Sequence, residues 1–306
     1  MDFIWCFKNF NMGRELEVAG EFVYESAHRM IGIESFSNEF EVNSILYNGA
    51  VGVERLQKIL LCLYCINTEE DINNPIRCLM EHNHLDLHDK IQGYIDCGFN
   101  KNHICVLGVF SDYYNNFRYS NYMIDKDDDV RSLIIRIFKR KDGKADFDSP
   151  MSLYEREGFI KFYINLIGEI ARKYFDLIRE KAHELNMYTY EIDSSSNAVR
   201  VFWTAEEKTL YEEMRIERIS TKELLIFLYK CKHNDGVFRL MNDLEPLNYD
   251  FAFANEYISE LSKGKVSPLL VDYTEDLYTD FSLKEQKDRK EIVDLIGNTE
   301  SFIEDF

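Results

Sequence analysis

Two arginines and two histidines are the side chains whose types and spacing best suit acid–base chemistry on a phosphate. Arg77 precedes His82 with four residues between them, and it precedes His84 with six. Arg118 lies further along, in a tyrosine-rich segment that includes Tyr122. A histidine can move a proton to or from an RNA hydroxyl, and an arginine can stabilise the charge that develops on the phosphate. The candidate catalytic residues given by this spacing are therefore Arg77, His82 and His84, acting without a metal ion.

The same stretch offers ligands for a zinc ion. Cys78 and His82 are four residues apart, as are His84 and His88, so each pair shares one face of a helix. The two pairs lie on different faces of one continuous helix, and a tetrahedral site therefore requires a break in it. Nothing else in the sequence indicates a cofactor, and none is expected.

Each candidate also has a structural explanation. His84 can anchor a helix by bonding a ring nitrogen to a backbone carbonyl, and Arg77 can pair with Glu81 on the surface. Arg118 can stack on neighbouring tyrosines beside a carboxylate partner. The sequence leaves these alternatives open.

Motifs for several other chemistries are absent from the sequence. It contains no GxxxxGK[ST] phosphate loop, no GxGxxG after a strand, no HExxH and no GxSxG. Cys62 and Cys65 form a CxxC, but within an apolar helical stretch where both are expected to be buried. The tripeptide at 82–84 spells HNH, whereas the nuclease motif of that name is dispersed over a strand–strand–helix unit.

The charge and the cysteines limit the class of protein. The net charge of −19 repels nucleic-acid phosphates at long range, so general DNA binding is not expected, although RNA stays a candidate ligand at a local site. The acidic surface serves either solubility or recruitment of a basic partner. Seven irregularly spaced cysteines indicate reduced thiols in the cytoplasm. The sequence shows no signal peptide and no apolar run that could span a membrane.

Amphipathic periodicity predicts a mostly α-helical protein. Apolar residues recur at helical spacing over 14–31 and 44–66, and the second stripe carries Glu54 and Lys58 as an i,i+4 pair to one side. Low proline and glycine contents, 4 and 14 residues, favour long helices. Three further helices are predicted at 82–95, 130–140 and 152–186, the last being a long spine helix that begins at the capping box Ser152/Glu155.

A change of period from 3.6 to 2 predicts a small β-hairpin at 188–203, around the turn sequence DSSSN. We expect a domain boundary there, between a helical domain at 1–187 and a hairpin plus C-terminal helical region at 188–306. Capping boxes at Thr204/Glu207 and Ser220/Glu223 open two of the predicted C-terminal helices. These helices are predicted at 205–217, 221–232, 250–262 and 284–296.

Two segments resemble the HEPN superfamily of helical bundles. The first is GVERLQKILLCLY at 52–64, followed by a loop and HNHLDLHDKI at 82–91. The second is YNNFRYSNY at 114–122, which is similar to the segment that enters the last core helix of that family. The resemblance covers roughly residues 14–140 and implies that 1–187 is a HEPN-like bundle.

The resemblance also implies a function. Active HEPN proteins are metal-independent RNases that usually dimerise to form a composite site, and many act as toxins or antiviral defence effectors. Their signature is an arginine followed, after four to six residues, by a histidine at the start of a late core helix. Arg77 and His82 have this spacing but lie early, whereas Arg118 lies nearer the expected place and is followed by Tyr119 and Tyr122. The resemblance thus adds Arg118 and Tyr122 to the candidate catalytic residues.

Three functions follow as expectations. The first is a non-catalytic or partner-dependent HEPN-like component of a prokaryotic defence or toxin–antitoxin system, which binds a protein partner or a second copy of itself. The second is a metal-independent HEPN-type RNase. The third is a zinc-stabilised helical adaptor. The partner function predicts an exposed apolar patch in the C-terminal half.

Overall fold

The computed structural model describes residues 2–73, 77–119, 122, 129–143, 153–203, 208–233 and 236–296. These residues are mostly helical and include no strand, so the predicted helical class is confirmed. The chain divides into two compact units, Met1–Arg215 and Ile216–Phe306. Contacts thus group residues 188–215 with the first unit, whereas the sequence divided the chain after residue 187.

The first unit is built from helices that share one apolar core. They are α1 (Phe3–Cys6), α2 (Met12–Gly32), α3 (Glu39–Cys65), α4 (Glu69–Asn73), α5 (His84–Gln92), α6 (Lys101–Asp112), α7 (Val130–Phe138), α8 (Leu153–Glu184), α9 (Ala198–Phe202) and the start of α10 (Leu210–Lys230). A π-helical segment at Phe7–Asn11 joins α1 to α2, and another at Tyr113–Phe117 follows α6. A 3-10 turn occupies Arg77–Met80.

Helix α3 lies at the centre of this core. It begins after Asn38, whose side chain accepts hydrogen bonds from the backbone N–H groups of Phe40 and Glu41. Its apolar stripe is fully buried, and α2 and α8 pack against it. The predicted helices at 14–31, 44–66 and 130–140 are confirmed within a few residues at each end. The spine helix is α8, although Ser152 of its predicted capping box lies outside the described residues.

The hairpin predicted at 188–203 is wrong. Turns and loop occupy residues 189–197, and residues 198–202 form helix α9. Ala198, Val201 and Phe202 are buried at i, i+3 and i+4, which is the spacing of a helix face. Phe202 stacks on Phe175 of α8 with ring centroids 4.8 Å apart. Packing on α2 and α8 therefore outweighs the strand propensity of this valine- and aromatic-rich stretch.

A glycine permits the close approach of α9 to α2. A Cβ added at Gly20 would lie 2.7 Å from Ala198 Cα and 2.9 Å from Phe202 Cε2, with Ala198 Cβ nearer still. Since a backbone atom is among these neighbours, the clash cannot be relieved by rotating a side chain. Gly20 thus sets the distance between the two helices.

Gly20→Ala is expected to destabilise the first unit by about 2 kcal/mol, because overpacking outweighs the gain in helix propensity. Gly13→Ala is the matched control on the same helix, since its Cβ would meet only Thr189 O at 3.8 Å. The Gly13→Ala control should raise the free energy of unfolding of the first unit by up to about 1 kcal/mol. Urea unfolding of both variants measures the difference, and equal stabilities would contradict the close approach.

The second unit is described here by itself. It contains the rest of α10, then α11 (Gly236–Asp243), a 3-10 turn (Phe251–Phe253), α12 (Ala254–Ser262), α13 (Pro268–Tyr278) and α14 (Leu283–Val293). The helices predicted at 250–262 and 284–296 correspond to α12, with its preceding turn, and to α14. Helices α11 and α13 were not predicted.

The two helices predicted at 205–217 and 221–232 are one continuous helix, α10. Ser220, the predicted cap, lies inside this helix and donates its hydroxyl to Ile216 O at 2.9 Å. Such a bond lets serine remain in a helix interior, so the capping pattern was wrong here. The other predicted capping box, Thr204/Glu207, lies outside the described residues.

Candidate functional site

The histidine-rich stretch contains a break between two helical segments, and His82 lies in that break. The Arg77–Met80 turn ends before His82, and α5 begins at His84 behind its N-cap residue Asn83. The helix predicted at 82–95 corresponds to α5, which begins two residues later and ends at Gln92. The side chains of Arg77 and Cys78 lie outside the described part of the structure.

His84 has the structural role given above as its alternative. Its side chain is fully buried, and its Nε2 lies 2.9 Å from the carbonyl oxygen of Ala50 in α3. Loss of hydration lowers the pKa of His84 to about 4, so the ring is neutral at neutral pH and donates this hydrogen bond. His84 thus joins α5 to α3 and is not part of the site proposed below.

His88 belongs to a buried hydrogen-bonded network that ties three helices together. Its Nδ1 lies 2.8 Å from the hydroxyl of Tyr174 in α8. Gln57 of α3 donates through Nε2 to the same hydroxyl at 3.0 Å and to His84 O at 2.8 Å. Among the described residues, no three His, Cys, Asp or Glu side chains are grouped so as to hold a metal ion. The described part of the structure thus offers no support for the zinc ligands considered above.

A buried carboxylate connects His82 to α3. Glu54 is only 7% exposed, and its Oε1 accepts from Lys58 Nζ at 2.7 Å and lies 3.1 Å from His82 Nδ1. The contact favours the tautomer with the proton on Nδ1, which leaves Nε2 to accept a proton. The His82 side chain is 54% exposed, so a ligand can reach it. The arrangement resembles the base-and-orienting-carboxylate pair of many acid–base sites.

Local structure fixes the backbone at His82. The Glu81 carboxylate accepts hydrogen bonds from the N–H groups of His82 and Asn83, both at 3.1 Å. These bonds keep the pKa of Glu81 below its ordinary value, with the bond from Asn83 the largest cause. The carboxylate cap and the start of α5 together direct the His82 ring toward Glu54.

Tyr114 connects His82 to Arg118. The rings of His82 and Tyr114 stack with centroids 5.4 Å apart and planes 9° from parallel. Arg118 Cζ lies 4.9 Å from the centre of the Tyr114 ring and 5.5 Å from that of Tyr47. Among the described residues no carboxylate pairs with Arg118. The fold therefore brings together two of the predicted catalytic residues, His82 and Arg118, through a ring that the sequence did not single out.

Burial changes the acidity of Tyr114. Loss of hydration raises the pKa of its hydroxyl to about 12, and the negative charge of Glu54 adds to this. The tyrosine therefore stays neutral at physiological pH. Its contribution to the site is a planar surface and a hydroxyl, not a charge.

A cleft of about 390 Å³ lies beside these residues. Its apolar wall combines residues from the π segment, α2, α3 and the 3-10 turn: Phe7, Met12, Val51, Ile59, Cys62 and Leu79. Its charged rim holds the Arg55–Glu15 and Lys58–Glu54 pairs. The two rim cations are thus neutralised, and Arg118, next to the cleft, is left as the cation without a carboxylate partner in the described structure.

Tyr122, the last predicted site residue, is 87% exposed. Its ring centroid lies 6.4 Å from that of Tyr119, and its backbone N–H bonds to Tyr119 O at 3.0 Å. It is outside the cleft. The sequence placed Glu54 beside the apolar stripe of α3 and paired it with Lys58, a pair that the structure contains, but gave it no part in the site. Its position between Val53 and Leu56 is the signal that it is buried.

Comparison with known proteins adds no relative. The chain matches no protein-family model, no curated protein and no solved structure. The HEPN-like relationship therefore stays a prediction that rests on the two segments quoted above. Within the described residues, no helix combines the length and the apolar character needed to cross a membrane.

Proposed function

We propose that the first unit is a metal-independent RNase of the HEPN-like kind. One observation carries this proposal: His82 is held by the buried Glu54 carboxylate and shares the Tyr114 ring with Arg118, which pairs with no carboxylate among the described residues. A proton acceptor and a fixed cation beside one exposed surface are the two groups that transesterification of RNA needs.

His82 Nε2 would remove the proton from a ribose 2′-hydroxyl. The 2′-oxygen then attacks the adjacent phosphorus, a 2′,3′-cyclic phosphate forms, and the bond to the 5′-oxygen breaks. That oxygen leaves with a proton taken from solvent. Arg118 stabilises the extra negative charge on the phosphate oxygens, and Glu54 stabilises the imidazolium that His82 becomes. Each group therefore acts on a stated atom, and no metal ion is required.

Incubation of the purified full chain with a labelled single-stranded RNA in EDTA tests this function. We expect cleavage in EDTA and products that end in 2′,3′-cyclic phosphate. Products with 3′-hydroxyl ends, or activity that requires added divalent cations, would contradict the mechanism. An RNA with a 2′-deoxy residue at the cleavage site is the matched control, because it lacks the attacking hydroxyl and should stay intact at that position.

The second unit supports a second proposed function, the binding of a basic protein partner. The apolar patch expected in the C-terminal half has a counterpart on α10, where several large apolar side chains are exposed. They are Ile216, Ile219, Leu224, Ile226, Phe227 and Tyr229. In a defence or toxin-type system, as the resemblance implies, such a partner would control the RNase.

A cleft within the second unit favours a partner with positive charge. Its volume is about 760 Å³, and its lining contains no lysine or arginine. Aromatic rings and carboxylates make up most of the lining: Asp250, Phe253, Tyr257, Asp272, Tyr273, Glu275 and Asp276. Aromatic faces and carboxylates both attract lysine and arginine side chains. The lining therefore suits a basic, partly apolar segment.

A fluorescent peptide of alternating lysine and leucine is the probe for this cleft. The double variant Asp272→Asn/Glu275→Gln should weaken its binding several-fold relative to the wild-type chain, since close ion pairs are lost. The control Asp288→Asn/Glu291→Gln makes the same change of net charge on exposed positions of α14. An equal loss in both variants would show that the peptide senses only the overall charge of −19.

A further inference from the structure

A series of neighbouring planar side chains begins at the proposed site and extends away from it. His82 stacks on Tyr114, and Arg118 lies over Tyr114 at 4.9 Å and over Tyr119 at 5.2 Å. Tyr119 in turn neighbours Tyr122, with ring centroids 6.4 Å apart. We call these five residues the aromatic row. The row extends from His82 to Tyr122.

The outer end of the aromatic row is open to solvent. Tyr119 is 59% exposed and Tyr122 is 87% exposed, whereas Tyr114 is partly buried. Tyrosine rings held in place on a surface are platforms on which unpaired nucleobases stack, whatever the base. The Arg118 guanidinium beneath Tyr119 limits the motion of that ring and supplies a positive charge for the neighbouring phosphate.

We propose that Tyr119 and Tyr122 bind consecutive unpaired bases of a single strand and so direct the adjoining phosphate to Arg118 and His82. The inference rests on the proposed RNase function for the identity of the chemistry, but it assigns a separate binding site with its own residues. Base-paired strands are excluded, because their bases are already stacked and their faces are covered.

The charges of the site give this binding an unusual dependence on salt. Affinity of most nucleic-acid-binding proteins falls steeply with salt, because each phosphate neutralised by a cation releases a counterion. Arg55 and Lys58 are already paired with carboxylates, which leaves Arg118 as the one unpaired cation described at this site. Stacking therefore supplies most of the affinity, and a logarithmic salt slope near −1 is expected, about what one or two phosphates give.

Stacking platforms contact base faces and not the sugar. Single-stranded DNA of the same sequence should therefore bind with similar affinity without being cleaved, because it lacks the 2′-hydroxyl. It should also inhibit RNA cleavage competitively. Ribose-dominated recognition gives neither result. Phosphate-dominated recognition would give both, but with a steep fall of affinity with salt.

Fluorescence anisotropy of a labelled eight-nucleotide RNA, with the full-length His82→Ala chain to prevent turnover, measures this site directly. Tyr122→Ala in that background should weaken binding about 5- to 150-fold, the range for loss of one stacked base. Tyr122→Phe keeps the ring and should bind as the parent does. Tyr188→Ala removes another exposed tyrosine of the first unit and is the control.

The outcomes separate the two proposals. Equal binding by the Tyr122→Ala and Tyr188→Ala variants, or binding of duplex RNA as tight as single strands, would overturn the aromatic row as a binding site, even if the wild-type chain cleaves RNA. Tight binding that depends on Tyr122 supports the row, even if the wild-type chain proves inactive in EDTA. In that case the RNase proposal alone fails.

Discussion

His82→Ala is expected to lower the rate constant of RNA cleavage by about 10²- to 10⁴-fold, the usual contribution of a positioned proton acceptor. The substrate concentration at half-maximal rate should change little, since the 2′-hydroxyl is a small part of the bound strand. Single-turnover cleavage under saturating enzyme measures the rate constant. His183→Ala, at an exposed histidine near the end of α8, is the control.

Two further variants distinguish this mechanism from a general loss of structure. Glu54→Gln keeps the shape of the side chain but removes the charge that stabilises protonated His82, so it should lower the rate while leaving the fold intact. Arg118→Lys keeps the positive charge but loses the planar group that lies over Tyr114 and Tyr119. An unchanged rate in the His82→Ala variant would remove the proposed function altogether.

The free energy of unfolding of the first unit is expected to fall by up to about 3 kcal/mol between pH 6.5 and pH 4 because of His84 alone. Burial lowers the pKa of His84 to about 4, whereas an unfolded histidine has the ordinary value of 6.5. Between these values the unfolded chain binds a proton that the folded chain does not, so stability falls as the pH is lowered. Below about pH 4 both states are protonated, and this contribution stops changing.

Urea unfolding followed by tryptophan fluorescence measures this effect in the right part of the molecule. The chain has two tryptophans, Trp5 and Trp203, and both lie in the first unit. His84→Gln keeps a donor for Ala50 O but removes the titration. Its stability should therefore change less with pH than that of the wild type. The stability of the His84→Gln variant should still depend on pH to some extent, because burial also lowers the pKa of His88. Identical dependence of stability on pH in the wild type and the His84→Gln variant would contradict the assignment of this effect to His84.

The helices were predictable where burial follows one clear stripe. In α3 the apolar residues from Leu46 to Leu63 that recur every three or four positions are all buried, so their periodicity located the helix. Residues 198–202 form only a short helix, so few positions mark its period, and their valine- and aromatic-rich sequence favours a strand. Contacts with α2 and α8 favour the helix over the strand. These two helices are distant in sequence, so the local pattern of residues gives no information about the contacts.

The site was predictable in its parts but not in its assembly. His82 was named from its chemistry and Arg118 from the family resemblance. A search for an arginine shortly followed by a histidine cannot pair them, because they lie in different segments and the arginine follows the histidine. Tyr114 and Glu54 link His82 to Arg118 only in the folded protein. There α3 packs against the residues before α5 and against the π-helical segment after α6. The sequence thus shows which side chains can do the chemistry, but only the fold shows that these side chains lie close together.

The free oxygen of Glu54 has a consequence for how such a protein can evolve. Its Oε2 is buried and, within the described residues, has no hydrogen-bond partner. An unsatisfied buried polar atom costs roughly 1–3 kcal/mol. A leucine at this position would fill the same space without that cost, so selection for thermal resistance alone would tend to replace the carboxylate. Lineages that keep a glutamate here would be tolerating a less stable fold in exchange for an oriented His82.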